Sequence, residues 1–330
     1  MTKVHLTMAC QEYDRTFPLI SGQVQPEGID LNFISMKPDE VFMRMLENEE
    51  FDASEFSQAS YFILRGRNDD RFVSIPAFVS RAFRHGQIWI NKDWEIKSPA
   101  DLKGKPVGIP DYTMTAAVYQ RAMLQHDYSV KPTDIHWYYG GVDTPGGAQR
   151  ISVPTLPREL TLEKVEDKAL SDMLETGEIA ALIGAKTPRC FRENSPKVGL
   201  LFPNYVEMEQ DYFKRTGIYP IMHTIVIRKA ILDRHPWVHQ SLFKAFCEAK
   251  DICMKAIPNT GAPRYMLPWL VSNYEEAIKV LGNDYWAYGI EPNRKTLEAF
   301  AQFCHEQNLS ETLVGIDKAY APNAIHTFDV

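Results

Sequence analysis

His85 and His223 are the side chains in this sequence best suited to move a proton at neutral pH, because an unperturbed imidazole titrates near 6.5. His85 follows Arg81 and Arg84 just ahead of an expected strand, and His223 lies inside an expected strand over 220–227. The plainer role for either is a satisfied structural histidine. Arg15, Arg81, Arg84 and Arg189 are candidate carboxylate clamps, since a guanidinium offers a planar two-pronged fork. Arg15 follows a strand end, where α/β proteins hold ligands. Arg189 follows Lys186 and the strand expected at 179–183. The competing role for each arginine is a surface ion pair. Ser57, Thr113 and Thr115 precede expected helices, where hydroxyls and unpaired backbone N–H groups make a seat for an anion or a simple cap. Tyr112 and Trp269 could wall or stack on a ring, and Glu55 and Glu209 are possible bases. His235 and His239 stand four apart on an expected helix, but no HExxH pattern joins them, so they read as helix-surface histidines rather than metal ligands.

The elements that must position these groups alternate. Strands are expected at 4–9, 31–34, 51–55, 72–78 and 87–91, with helices from Asp39 and through 61–64. A second stretch has strands at 107–109, 135–139, 179–183 and 198–202, with helices at 116–125 and 170–175. Between 140 and 157 the chain is rich in Gly, Pro, Thr and Ser and reads as a long loop of the kind that often serves function. After the strand at 220–227 the chain is mostly helical, over 233–257, 274–281 and 295–305. That tail needs the first α/β unit to bury its apolar faces. The chain is therefore expected to form one discontinuous lobe from 1–104 and 220–330 and a second lobe over 105–219, with a cleft where it crosses twice.

Composition bounds the partners. The 330 residues are 45% hydrophobic and carry a net charge of −7, which suits a globular protein and gives no basic footprint for nucleic acid. No apolar run reaches the length of a membrane span, and the first residues lack the apolar core of an export signal, so a cytoplasmic protein is expected. The five cysteines are scattered without CxxC spacing and read as reduced thiols. GxGxxG, Walker A and G-x-S-x-G motifs are absent, which argues against NAD, ATP and serine-hydrolase chemistry.

Several segments carry a resemblance. Ser98-Pro99-Ala100-Asp101-Leu102-Lys103-Gly104-Lys105 resembles the domain-entry segment of type II periplasmic-binding-protein folds. Tyr13-Asp14-Arg15-Thr16, Pro26-Glu27-Gly28-Ile29-Asp30-Leu31, Ser80-Arg81-Ala82-Phe83-Arg84-His85 and Thr216-Gly217-Ile218-Tyr219-Pro220-Ile221-Met222-His223-Thr224 resemble the 4,5-dihydroxyphthalate decarboxylase family. So does Trp286-Ala287-Tyr288-Gly289-Ile290-Glu291-Pro292-Asn293-Arg294.

The resemblance runs from residue 4 to about 310. It implies a two-lobed α/β fold of the periplasmic-binding-protein type. It also implies conversion of 4,5-dihydroxyphthalate to protocatechuate and CO₂, for which no organic cofactor and no metal cluster is expected, since the chemistry calls for convergent Arg and His. On that reading His223, His85 and Glu209 do the acid–base work, while Arg15, Ser57, Arg81, Arg84, Tyr112, Thr113, Thr115, Arg189 and Trp269 hold the substrate. The expected partner is a small aromatic dicarboxylate, with a homo-oligomer left open and neither nucleic acid nor membrane expected. Two other readings compete: a binding protein without chemistry, and a decarboxylase of a different aromatic acid.

Overall fold

A computed structural model describes residues 2–147, 149–152 and 156–322. Its elements in chain order are β1 (Val4–Cys10), α1 (Phe17–Ile20), β2 (Ile29–Ser35), α2 (Pro38–Asn48), β3 (Ala53–Ser57), α3 (Gln58–Gly66), β4 (Phe72–Arg81) and β5 (Ile88–Asn91). Then follow β6 (Pro106–Ile109), α4 (Thr115–Tyr128), β7 (His136–Tyr139), β8 (Thr161–Lys164), α5 (Leu170–Thr176), β9 (Ala181–Ile183), α6 (Arg189–Arg192), β10 (Val198–Leu200) and α7 (Tyr205–Thr216). The chain continues through β11 (Ile221–Arg228), α8 (Lys229–Arg234), α9 (Val238–Ala256), α10 (Leu270–Leu281), α11 (Arg294–Glu306) and α12 (Ile316–Ala319). None of these helices is long and apolar enough to cross a membrane.

The chain divides into two compact units. One comprises Met1–Arg81, Gly217–Ala299 and Val314–Val330, and the other Ala82–Thr216 and Phe300–Leu313. The first crossing thus comes at Ala82, ahead of the expected residue 105. The reason is β5, which pairs antiparallel with β9 and β10, strands that arrive about 90 and 110 residues later and so leave no local trace. Phe300–Leu313 likewise joins the second unit, where Phe300 stacks on Tyr119 of α4 with ring centroids 4.8 Å apart.

The first unit holds a five-stranded sheet in the order β2-β1-β3-β11-β4. β1, β2 and β3 run parallel, and β11 runs antiparallel to both of its neighbours. β3, inside the sheet, is buried along its whole length, whereas the edge strand β2 keeps Asp30, Asn32 and Ser35 exposed. Leu6, Met8, Phe56, Ile75, Ile225, Phe243 and Phe246 are all buried in this unit, each stabilising the fold by roughly 1.5–3 kcal/mol. The second unit holds a six-stranded sheet in the order β10-β5-β9-β6-β7-β8, whose core gathers Trp89, Leu170, Leu174, Ile179 and Leu182.

Two differences from expectation have simple causes. The helix expected over 233–257 is two helices, α8 and α9, because Pro236 lacks the N–H a helix interior needs and His235 before it leaves helical geometry (φ −136°, ψ 71°). β8 was unforeseen: Thr161-Leu162-Glu163-Lys164 is mostly polar, and an edge strand pairing only with β7 needs no apolar face. Of the loop expected over 140–157, residues 148 and 153–155 lie outside the described residues. The rest folds onto its own unit, with the Tyr112 N–H donating to Gln149 Oε1 at 3.1 Å and Arg150 standing 3.7 Å from Asp111.

Candidate active site

In the first unit, the carboxyl ends of parallel β1 and β3 lie beside the start of antiparallel β11, so the residues at those three positions share one edge of the sheet. Open α/β sheets bind ligands beyond the carboxyl ends of their strands. Met8 and Ala9 pair with Ala53 and Ser54, which brings Cys10 beside Glu55. His223 stands opposite Ser57 on β3 and Ser80 on β4, with a register shift against β4 on either side of it. Such bulges re-aim a side chain out of the regular pleat. Residues 55 and 57 point to one face, so His223 reaches Glu55 diagonally.

Glu55 is the centre of the arrangement. Its side chain is 0% exposed. His223 Nδ1 lies 2.6 Å and the Tyr13 hydroxyl 2.7 Å from the same oxygen, Oε1. The Gln11 backbone N–H donates to Oε2 at 2.9 Å, and the Cys10 thiol approaches Oε2 at 3.5 Å. Burial alone would raise the pKa of this carboxyl. The hydrogen bond and charge of His223, with the Gln11 N–H and the Tyr13 hydroxyl, outweigh burial and hold it below its ordinary value. Burial and the adjacent carboxylate push both the Cys10 thiol and the Tyr13 phenol up, so both remain protonated donors. A carboxylate on Nδ1 fixes the imidazole with its proton on that nitrogen and leaves Nε2 for another partner. His223 is 20% exposed and packs edge-on against Phe42 of α2 with ring centroids 4.9 Å apart.

Arg15 adjoins this group through Tyr13. A turn over 13–17 presents it, pinned by Thr16, whose hydroxyl accepts from the Tyr13 N–H at 2.8 Å while the Thr16 and Phe17 N–H groups bond the Tyr13 carbonyl. The guanidinium lies between two rings, 4.1 Å from the centroid of Tyr13 and 4.4 Å from that of Trp286. Nε donates to the Val79 carbonyl at 2.6 Å and Nη1 to Asp14 at 2.9 Å. Arg15 and Trp286 line an open pocket together with Lys250, Met254 and Tyr285. Ser57 is buried and caps α3, its hydroxyl accepting from the Ser60 N–H at 3.4 Å.

The remaining expected residues have other surroundings. Arg81 is buried and donates to the carbonyls of Tyr219 and Ala287, at 3.3 and 2.6 Å, and to Asn293 Oδ1. Its position is that of a cross-link within the first unit. Arg81→Ala is expected to lower stability by roughly 2–4 kcal/mol by stranding those acceptors, which denaturant unfolding would show as a lower midpoint.

In the second unit, His85 is 3% exposed and stands between the rings of Phe202 and Tyr212, at 5.6 and 5.3 Å. Its backbone N–H and that of Gly86 donate to Glu209 Oε1 at 3.1 and 3.3 Å, while Nδ1 is 3.9 Å from that oxygen. Burial raises the Glu209 pKa and lowers that of Arg84 to about 10. Burial also lowers His85 from 6.5 to about 4. A histidine depressed on folding contributes stability above its unfolded pKa and loses it as pH falls through the folded value. Between pH 6.5 and about 4 the loss is on the order of 3 kcal/mol. His85→Phe should flatten the fall in melting temperature across that window.

Thr113 donates from its backbone and hydroxyl to Asp111, both at 2.8 Å. Thr115 is the buried first residue of α4, and Tyr112 lies under the Arg121 guanidinium at 3.7 Å. Arg189 bonds Asp172 at the surface. Trp269, in the first unit, is 73% exposed at the start of α10. His239 is not a helix-surface residue: it is buried, with Nε2 2.9 Å from the Pro322 carbonyl and Nδ1 on the Pro236 carbonyl. All five cysteines are free thiols. Among the described residues no three His, Cys, Asp or Glu side chains converge as metal ligands.

Over its full length the chain is 34% identical to a 4,5-dihydroxyphthalate decarboxylase from Comamonas testosteroni, covering 100% of both proteins. The chain belongs to the 4,5-dihydroxyphthalate decarboxylase family. A second member, from Pseudomonas putida, is 37% identical over 215 residues, 65% of this chain and 83% of that protein. Residues 23–144 match the NMT1/THI5 like family model. Among solved structures, the periplasmic aliphatic sulphonate binding protein SsuA from Escherichia coli matches with a TM-score of 0.53 at 11% identity, covering 97% of this chain and 98% of that one. That likeness shows the fold alone and agrees with the periplasmic-binding-protein-like architecture read from the sequence. Of the residues expected from the sequence, His223, Arg15 and Ser57 lie in the first unit with Glu55, the possible base, whereas His85 and Glu209 belong to the second unit. Tyr13, Cys10 and Trp286 were not among the expected residues, although Tyr13 and Trp286 lie in the very segments that carry the family resemblance.

Proposed function

We propose that the protein decarboxylates 4,5-dihydroxyphthalate to protocatechuate and CO₂, with the Glu55–His223 pair supplying the proton. The observation that carries this reading is the imidazole held through Nδ1 by a fully buried carboxylate, in a member of this family. In the substrate, the hydroxyl para to the departing carboxylate feeds electron density into the ring. His223 Nε2–H delivers its proton to the ring carbon that bears that carboxylate, making it tetrahedral. The ring–carboxylate bond then breaks, its electron pair restores the aromatic ring, and CO₂ leaves. The neutral imidazole regains its proton from solvent. Glu55 stabilises the imidazolium before transfer and fixes its orientation throughout.

Arg15 supports binding of the second, retained carboxylate, the group a guanidinium fork suits best. Its stacking between Tyr13 and Trp286 pre-organises the fork. The partner is thus a small aromatic dicarboxylate, and a cytoplasmic setting suits a catabolic acid of this kind. The test is turnover of 4,5-dihydroxyphthalate in D₂O. Protocatechuate carrying one deuterium at the carbon that lost CO₂ is the expected product. Intact diacid after prolonged incubation with folded protein would sink the reading.

A further inference from the structure

We infer that Tyr13 is a positioning residue that couples the proton donor to the carboxylate clamp, its hydroxyl setting the Glu55–His223 pair and its ring setting Arg15. The inference rests on the proposed decarboxylation and adds to it a residue that neither the histidines nor the arginines required. Two independent contacts carry it. The hydroxyl donates to Glu55 Oε1, the same oxygen that holds His223 Nδ1. The opposite use of the side chain is its ring face, on which the Arg15 guanidinium sits 4.1 Å from the centroid.

The backbone makes such a double role feasible. Tyr13 is held on both sides: the Gln11 N–H bonds Glu55 Oε2, and Thr16 locks the turn that follows. The side chain therefore bridges two groups whose own strands and turn already fix them to within a small range. An oxygen shared by two donors divides its negative charge between them. With the phenol removed, the whole of that charge falls on the His223 Nδ1–H, which binds tighter and releases an imidazolium proton less readily. The ring acts on the other partner: a cation is attracted to an aromatic face, and without the Tyr13 face the fork keeps only one of the two rings that align it.

The two contacts separate by substitution in the full-length protein. Tyr13→Phe keeps the ring and loses the hydroxyl, and Tyr13→Leu loses both. With 4,5-dihydroxyphthalate as substrate, Tyr13→Phe is expected to lower kcat about tenfold with KM changed by less than about twofold. Tyr13→Leu is expected to raise KM about tenfold in addition. A spectroscopic readout stands apart from turnover: the downfield proton resonance of the His223 Nδ1–H, identified by its loss in His223→Gln, should move further downfield in Tyr13→Phe. An unmoved resonance with unchanged kcat overturns the hydroxyl's role, and equal KM values for the Phe and Leu variants overturn the ring's. A resonance that moves in a protein with no decarboxylase activity upholds the coupling and sinks the proposed reaction alone.

Discussion

His223→Gln is expected to lower kcat by about 10²–10⁴-fold while the protein stays folded. The glutamine amide is flexible enough to donate to Glu55 Oε1, so the buried carboxylate keeps a hydrogen-bond partner. What disappears is the proton at Nε2 and the means of regenerating it. KM should change little, because the imidazole is assigned to the reacting carbon and Arg15 to the retained carboxylate. Steady-state kinetics beside a thermal melt would check both halves. Near-native turnover in the folded variant removes His223 from the chemistry.

Glu55→Gln should be nearly as damaging to activity and worse for stability. The carboxylate accepts on both oxygens, from His223 and Tyr13 on one and from the Gln11 N–H on the other. An amide has a single accepting oxygen, so whichever way it turns, one of its own N–H groups faces a donor in a site with no exposure. Leaving buried donors unmatched costs about 1–3 kcal/mol for each group, so a loss of roughly 3 kcal/mol is expected. The substitution should also change the response to acid. Because Glu55 titrates below its ordinary 4.5 in the folded protein, it contributes stability above that pH and loses it as pH falls through the lower folded value. That acid limb should be missing from Glu55→Gln. The limb at higher pH, between 6.5 and about 4, belongs to His85 and should survive the change. A denaturation series from pH 7 to pH 3 on wild type and both variants would separate the two.

Local elements were legible in the sequence because their causes are local. The alternating apolar residues of β1, the apolar stretch of β11, the strand–helix alternation of the first unit and the helical tail all carry their own periodicity. The crossing at Ala82 was not, because β5 is assigned by partners far away in the chain. The site divides along the same line. His223 and Glu55 could be named as proton carriers by residue type, yet nothing in the spacing of residues 55 and 223 says that they meet. Arg81 and Arg15 look alike in sequence. Only the fold shows that Arg81 donates to backbone carbonyls and Asn293 whereas Arg15 lies between two rings at the pocket. Tyr13 was hidden for a related reason: a tyrosine two residues before an arginine is unremarkable until the fold sets its hydroxyl on Glu55 and its ring against Arg15.

The position of β11 bears on how the protein is made. It is the fourth strand across its sheet but the last of the five to leave the ribosome, after the entire stretch from Ala82 to Thr216. Until it is synthesised, β3 and β4 each lack a neighbour and expose a row of unpaired backbone groups, an invitation to aggregation. Nascent chains halted before residue 221 should therefore depend on chaperones, and Glu55 would wait in them, already translated, for the histidine that completes it.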